Sequence, residues 1–258
     1  MNDMSGGLNF ANLLLMAKGV TLLCGLVLAT DLRAQTPNYG ANPSCTEPQI
    51  LSLFAPPNGQ TGRYSAPSPE FGASINTVRS DSFPELRNKV IEVRYFKSPS
   101  DYFRIRFSIS RFLLLRRMRY FVEINAGIFA SGTLPKGVCA ILAHELVHIS
   151  RLSRGNRTRL FGLVRLVSRA FAARFERSTD FEAIRRGYGP GLIAYRQWIY
   201  QRISARALAQ KRRNYLSPEE IETVLRIASA RPELLAVWSR RAPVNLEEIK
   251  RSAAGSQD

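Results

Sequence analysis

The middle of the chain alternates apolar and polar side chains with a period of two, which is typical of β-strands that bury one face. The alternating apolar positions are Ile91, Val93 and Tyr95 in a first run, and Phe103, Ile105, Phe107 and Ile109 in a second. A turn-like stretch at residues 98–101 separates the two runs, so the pattern predicts a β-hairpin. Residues 120–129 are predicted to form a third strand.

From residue 135 the apolar spacing changes to that of amphipathic helices. Pro135 is predicted to open a first helix that ends near residues 155–156. Further helices are predicted over residues 159–186, 192–213 and 232–240, and another begins where Ser217 precedes a proline and two acids. The order of elements predicts an α+β fold in which a small antiparallel or mixed sheet packs on a helical bundle.

The N-terminal third of the chain differs in composition from the rest. Residues 19–29 form an unbroken apolar run after Lys18, which predicts an export signal within residues 1–34. The alternative is an uncleaved membrane anchor, in which Lys18 would lie inside the bilayer at a cost of about 3 kcal/mol. Residues 35–84 hold eight of the 14 prolines and are predicted to be an arm or linker. The folded domain is therefore expected over residues 85–258.

Export would place the protein in the periplasm or outside the cell. Of the three cysteines, Cys24 falls within the predicted signal, which leaves Cys45 and Cys139. These two can pair in an oxidising compartment, and the sequence leaves that bond open.

The formal net charge is +17, which favours contact with an anionic partner such as phospholipid headgroups. A basic surface that is simply solvated explains the charge equally well. No nucleic-acid-binding motif is present, and an exported protein rarely meets nucleic acid, so no such partner is expected. Peripheral contact with an anionic membrane remains an expectation, and the oligomeric state is left open.

Both histidines of the chain fall in one short motif, His144-Glu145-Leu146-Val147-His148. Side chains four positions apart lie on one face of a helix, so both imidazoles can reach a single Zn²⁺ ion. Glu145 lies about 100° around the same helix, near the metal without binding it. There it can take a proton from a water molecule that the metal has made acidic.

A catalytic zinc site needs a third protein ligand, and the sequence contains no third histidine. The candidates on the next helix are Glu176, Asp180 and Glu182. Glu176 and Asp180 share a face, because they are four positions apart. If Glu176 binds the metal, Asp180 can accept the N–H of a ligand histidine and fix its tautomer.

Three segments together resemble a known family. Residues 125–127 (NAG), residues 140–149 (AILAHELVHI) and residues 176–184 (ERSTDFEAI) are similar to the gluzincin metallopeptidases that include HtpX and the CAAX prenyl proteases. The resemblance covers roughly residues 119–200. It implies a zincin-like domain with Glu176 as the third ligand and Asp180 as the partner of a ligand histidine.

The resemblance also implies that the strand before the motif helix binds an extended substrate, here through Ile124, Asn125, Ala126 and Gly127. The chain departs from the family in lacking a membrane-spanning core and a histidine that could stabilise the oxyanion. Tyr188, Tyr195 or an arginine within residues 196–213 are candidates for that last role.

Two functions are expected from these features. The first is a zinc endopeptidase with one Zn²⁺ ion, a polypeptide substrate and Glu145 as the general base. The alternative is a zinc-stabilised binding protein that docks on an anionic membrane or envelope surface. Its docking surface would be the Arg-rich helices of residues 150–213, which carry 16 Lys and Arg residues against three acids.

Overall fold

The computed structural model describes residues 69–98, 101–108, 110–111, 116–125, 127–130, 135–154 and 168–255. Three strands, β1 (Val90–Phe96), β2 (Phe103–Phe107) and β3 (Arg119–Asn125), form a sheet with the order β1-β3-β2. The central strand β3 pairs with β1 in parallel and with β2 antiparallel. The fold is α+β with a small mixed sheet, as the sequence predicts.

Helices surround the apolar face of this sheet. Their bounds are α1 (Pro69–Ser82), α2 (Gly127–Ala130), α3 (Pro135–Arg154), α4 (Arg169–Arg185), α5 (Gly189–Tyr200), α6 (Ala205–Asn214), α7 (Pro218–Ala230), α8 (Glu233–Trp238) and α9 (Leu246–Ala254), with a short 3₁₀ helix at Pro84–Leu86. The motif helix α3 packs against α1, α4, α5 and β2. None of the helices within these described ranges combines the length and hydropathy needed to cross a membrane.

The predicted hairpin is wrong, because β3 lies between β1 and β2. Alternation identifies the face that a strand buries, but it does not identify the neighbouring strand. Five consecutive residues of β3 are buried, whereas β1 is mostly half-buried. The more apolar β3 thus takes the centre, where both edges are covered. It ends at Asn125 and α2 follows, so the predicted strand 120–129 was too long.

The motif helix and the start of α7 are where the sequence predicts them. Ser217 and Glu220 form a reciprocal capping box at α7, which satisfies two backbone N–H groups that the helix itself cannot bond. The predicted helix 159–186 is described only from Ser168, whose side chain caps α4. Residues 155–167 lie outside the described residues.

Toward the C-terminus, one helix prediction is wrong and one helix was missed. The span 192–213 is two helices, because the chain turns at residues 201–204 and Ser204 caps a new helix by accepting a hydrogen bond from Ala207. Helix α8 is shorter than predicted, and α9 was missed. The signal for α9 is present in the sequence, since Asn245 precedes two acids and caps its N-terminus.

The packed part of the chain begins before residue 85. Residues 69–82, which the composition assigns to the arm, form α1, and its Ile75 and Val78 side chains are buried against α3. Phe83 and Leu86 continue the same contact and are fully buried. Proline content concealed this helix, because Pro69 and Pro84 flank it and do not interrupt it. The predicted export signal and the arm up to residue 68 lie outside the described residues.

Helices α3 and α5 approach each other closely through a glycine. A Cβ atom added at Gly191 would lie 2.4 Å from the carbonyl oxygen of Lys136 and 2.7 Å from the Cβ of Ala140. The turn that leads into α5 requires a second glycine, since Gly187 has a φ of 91°, which side-chain-bearing residues rarely adopt. The close approach at Gly191 fixes α5 against α3, the helix that carries His144, Glu145 and His148.

Candidate metal centre

Helix α3 presents its two histidines and its glutamate to the interior. His144, Glu145 and His148 are all buried, with 1%, 7% and 5% of their surface exposed. The apolar neighbours Leu142, Leu146 and Ile149 anchor the same helix in the core. A helix that is apolar at these positions can hold imidazoles inside the protein only if their ring nitrogens find partners.

Helix α4 supplies the third group. One oxygen of Glu176 (Oε2) lies 3.2 Å from His144 Nε2 and 3.1 Å from His148 Nε2, and the two nitrogens are 3.2 Å apart. An ion about 2.0–2.1 Å from each atom in tetrahedral geometry requires ligand atoms about 3.3 Å apart. These distances fit that requirement closely. His144, His148 and Glu176 together form a buried group that can hold a metal ion.

The outer nitrogen of each imidazole already has a partner. His144 Nδ1 donates to Asp180 Oδ1 at 2.8 Å, and His148 Nδ1 faces Thr179 Oγ1 at 3.5 Å. With the proton on Nδ1, each Nε2 presents a lone pair to the carboxylate oxygen of Glu176. Three lone-pair atoms at such distances repel one another unless a cation lies between them. The geometry is that of a ligand set.

Asp180 occupies the centre of a fully bonded cluster. In addition to the hydrogen bond from His144, Asp180 accepts hydrogen bonds from Arg196 at 3.1 and 3.3 Å and from the backbone N–H of Leu216 at 2.9 Å. Burial raises the pKa of Asp180, but the charges of Arg196 and His144 and the hydrogen bonds from His144 and Leu216 together outweigh it and keep the carboxyl ionised. Both oxygens are engaged, so Asp180 orients the histidine and is not available as a ligand.

The charges of the cluster act on the metal-free histidine. Burial alone lowers the pKa of His144, but the charge of Asp180 and the hydrogen bonds to Asp180 and Glu176 raise it from 6.5 to about 9. Burial likewise raises the pKa of Glu176, but the charges of His148 and His144 and their hydrogen bonds together outweigh it, so that the pKa lies far below its ordinary range. Without a metal, a proton on the imidazoles supplies the positive charge that this site requires.

Glu145 is buried beside the ligand group and is not part of it. Burial raises its pKa, and the charges of His144 and His148 oppose the rise without cancelling it. A carboxyl group with a raised pKa is a better proton acceptor near neutral pH than an ordinary glutamate. The third candidate ligand, Glu182, is bound instead by Arg185 and Arg186 on its own side of α4.

Tyr215 is a site residue that the sequence analysis missed. It lies between α6 and α7, with its ring 5.8 Å from the His144 ring and 4.5 Å from the Arg196 guanidinium. Burial and the charge of Glu176 raise the pKa of its hydroxyl well above the ordinary value. No local pattern could have identified it, because it reaches the site only through the packing of α6 on α4 and of α7 on α5.

The two tyrosines proposed from the sequence have other surroundings. The hydroxyl of Tyr188 shares a hydrogen bond of 2.7 Å with Ser82 Oγ of α1, so it is withdrawn as an oxyanion candidate. Tyr195 is almost fully buried and packs its ring on Trp198 and Phe103. Burial raises the pKa of the Tyr195 hydroxyl. The charge of Arg196 opposes this rise, and the charge of Glu145 adds to it. Arg196, another candidate, is committed to Asp180.

The strand predicted to bind substrate, β3, lies at the centre of the sheet. Ile124 pairs with Tyr95 on one side and with Phe103 on the other, so its strand has no edge for a further chain. Asn125 is also engaged, since its side-chain amide donates to the carbonyls of Ser98 and Asp101 and its oxygen accepts from Gly127 N. Ala126 lies outside the described residues.

The chain matches no family model, no curated protein and no solved structure. Support for a metal ion held by His144, His148 and Glu176 therefore comes from the site itself. It consists of three converging ligand atoms, the burial of the side chains and the hydrogen-bond partners of the outer imidazole nitrogens. These features suit a divalent ion with nitrogen and oxygen ligands.

Proposed function

We propose that the protein is a zinc-dependent endopeptidase. The observation that carries the proposal is the convergence of His144 Nε2, His148 Nε2 and one Glu176 oxygen, 3.1–3.2 Å apart, next to a buried glutamate that is not a ligand. Three protein ligands leave a fourth position open, which distinguishes catalytic zinc sites from closed structural ones. When bound, Zn²⁺ would polarise the scissile carbonyl and make a water molecule acidic near neutral pH.

Glu145 acts as the general base. Its raised pKa suits a group that removes a proton from the attacking water and then delivers that proton to the leaving amine. Asp180 holds the His144 ring in one tautomer, and Arg196 in turn holds Asp180. The residues that bind the metal are therefore oriented before the substrate arrives.

Tyr215 donates a hydrogen bond to the carbonyl oxygen as negative charge develops on it. Its phenol remains protonated across the working pH range, because burial and Glu176 raise its pKa. A neutral donor next to the reacting carbonyl stabilises the transition state more than the ground state. Tyr215 is half-buried, whereas Tyr195 lies inside the core.

The polypeptide substrate pairs with the outer edge of β2. Among the described strands, β2 is an edge strand and packs against α3. The Tyr102 carbonyl and the Ser108 N–H form hydrogen bonds with β3. By alternation, the backbone N–H and C=O groups of Phe103 and Ile105 point away from β3. Phe103 also packs against Tyr195, and burial together with the charge of Glu145 raises the pKa of the Tyr195 hydroxyl. An extended peptide added there would run beside the metal centre.

An oxidising location is part of the proposal. Cys139 is buried in α3 and is disulfide-bonded, with its partner outside the described residues. Disulfides persist in exported proteins and are rare in the cytosol. The bond supports the periplasmic or secreted location that the apolar run at residues 19–29 predicts.

The test is Glu145→Gln in the full chain. We expect casein hydrolysis to fall by at least about a hundredfold, because the proton acceptor is lost, while the zinc content measured by elemental analysis stays at that of the wild type. A chelator should abolish hydrolysis by the wild type, and added Zn²⁺ should restore it.

Glu222→Gln is the matched control, since Glu222 is an exposed carboxylate on α7 and the substitution is the same. It should leave both hydrolysis and zinc content unchanged. Undiminished hydrolysis by the Glu145 variant would refute the mechanism, and absence of hydrolysis by a zinc-loaded wild type would refute the activity.

A further inference from the structure

The sheet has two chemically different faces. Its inner face is apolar and packs on the helices, with Tyr120, Val122 and Ile124 of β3 buried. The register places the alternate residues of all three strands on the opposite face. We call this the cationic sheet face, and it consists of Val90, Glu92, Arg94, Phe96, Arg104, Arg106, Arg119, Phe121, Glu123 and Asn125.

Each carboxylate of the cationic sheet face is shared by two guanidinium groups. Glu123 lies 2.5 Å from Arg104 Nε and 3.1 Å from Arg106 Nε, and Glu92 lies 3.5 Å from both Arg94 and Arg119. Four positive charges against two negative ones leave the face with a net charge of +2. The carboxylates therefore hold the arginines in place without neutralising them.

Two of the arginines are also stacked on aromatic rings. The Arg94 guanidinium lies 3.6 Å above the Phe121 ring, and that of Arg104 lies 3.9 Å above Phe96. Both phenylalanines are only 7% exposed. Stacking orders the guanidinium planes along the sheet, so less side-chain entropy remains to be lost when they bind an anion.

One end of the sheet adds further positive charge. Because β1 and β3 are parallel, the segments that precede them lie at the same end, where Arg117 donates to the carbonyl oxygen of Asn88. These two segments contribute four basic residues, namely Arg87, Lys89, Arg116 and Arg117. The positive potential thus extends from the cationic sheet face to the adjoining end of the sheet.

We infer that the cationic sheet face docks on the surface of an anionic phospholipid bilayer. A broad sheet surface with ordered guanidinium groups matches a plane of phosphate headgroups, which arginine binds in bidentate fashion. Arg94 and Arg119 retain 44% and 46% of their side-chain surface for this contact. The apolar run at residues 19–29 independently predicts that the chain encounters a membrane.

Nucleic acid fits this face less well. Proteins that bind single strands expose aromatic rings on which bases stack, whereas both phenylalanines of the face lie beneath guanidinium groups. The docking surface also differs from the Arg-rich helices considered in the sequence analysis, since Arg177 and Arg196 of that region are buried against Glu220 and Asp180.

The experiment measures cosedimentation of the full chain with vesicles of phosphatidylcholine, with and without phosphatidylglycerol. The vesicles without phosphatidylglycerol report any contribution of the N-terminal apolar run. The variant Arg94→Gln/Arg119→Gln should bind the anionic vesicles roughly tenfold to thirtyfold more weakly than the wild type, because two headgroup contacts are lost. The control Arg240→Gln/Arg241→Gln removes the same charge from two exposed positions after α8 and should bind within about twofold of the wild type.

Four further arms complete the test. The variant Arg94→Lys/Arg119→Lys should retain most of the binding to anionic vesicles. Higher ionic strength should weaken binding of the wild type, and this measurement does not depend on whether any variant folds. Glu145→Gln and metal-depleted protein should bind as the wild type does, so the outcome is independent of the proposed peptidase activity. Equal binding by the sheet and control variants, or binding insensitive to salt, overturns the inference. Binding of a single-stranded oligonucleotide is measured in parallel. If the sheet variant loses that binding and keeps its binding to vesicles, the inference is overturned and nucleic acid is the partner.

Discussion

Asp180 illustrates how a single side chain can position a histidine of the candidate metal group without belonging to that group. Its oxygens accept hydrogen bonds from a ligand histidine, from the Arg196 guanidinium and from the Leu216 backbone. Every bond comes from a different element of structure, namely α3, α5 and the segment before α7. The orientation of His144 thus depends on the relative placement of three elements.

Replacing Asp180 by Asn should weaken zinc binding about tenfold to a hundredfold, because the amide no longer orients His144 as a charged acceptor. Competition with a chromophoric chelator measures the affinity, and melting curves of the same samples verify that the variant is folded. Glu176→Ala, which removes a ligand outright, should lose more affinity than Asp180→Asn. The reverse order would mean that the roles of the two carboxylates are exchanged.

The stability of the metal-free protein should depend on pH through His144. Its pKa is about 9 in the folded protein and 6.5 as the ordinary value, so its stabilising contribution is complete below pH 6.5 and is lost as the pH rises through 9. Urea unfolding in the presence of a chelator should give a falling free energy of unfolding across this range. In Asp180→Asn, which lacks the main source of the shift, the slope should be smaller. A free energy that rises over this range would contradict the assignment.

Single residues differ in how far the sequence identifies them. His144 and His148 are four positions apart, as are Glu176 and Asp180. Residues at this spacing share one face of a helix, so the sequence alone is enough to propose each pair. Arg196 and Tyr215 meet the site only through packing between helices, which no local spacing encodes. The oxyanion role therefore stays a prediction that sequence spacing alone does not assign to one residue.

Among the elements, α3 and α5 depend on the absence of a side chain at Gly191. Gly191→Ala should lower the free energy of unfolding by about 1–3 kcal/mol, because the new methyl group would overlap the Lys136 carbonyl and force the helices apart. Denaturant unfolding measures the change. Gly255→Ala is the control, since an added Cβ atom there has no neighbour within 4 Å. Equal effects at both positions would show that the close approach is unimportant.

The type of each element was easier to predict than its partner or its end. Period two identified β1 and β2 as strands, but pairing depends on which strand is apolar enough for the centre. The division of residues 192–213 into α5 and α6 depends on Ser204, whose capping bond competes with continuation of the helix. Helix α1 was obscured by its proline-rich surroundings.

For the molecule as a whole, α1 is part of the folded unit. Val78→Ala should lower the free energy of unfolding by about 1–3 kcal/mol, because Val78 is buried where α1 packs on α3. Asn76→Ala, two residues away on the exposed side of the same helix, should change stability by less than about 0.5 kcal/mol. Similar small effects in thermal or urea unfolding at both positions would indicate that this segment is only a linker.

The central position of β3 also determines the order in which the sheet can form. During synthesis, β1 and β2 leave the ribosome before residues 119–125, and neither strand has its native neighbour until those residues follow. In this interval the nascent chain carries two amphipathic strands with unpaired edges, which are prone to associate with other chains. We therefore expect a chain that stalls before the third strand to be recognised by chaperones and proteases. Synthesis of the seven residues of β3 supplies the missing neighbour of both strands.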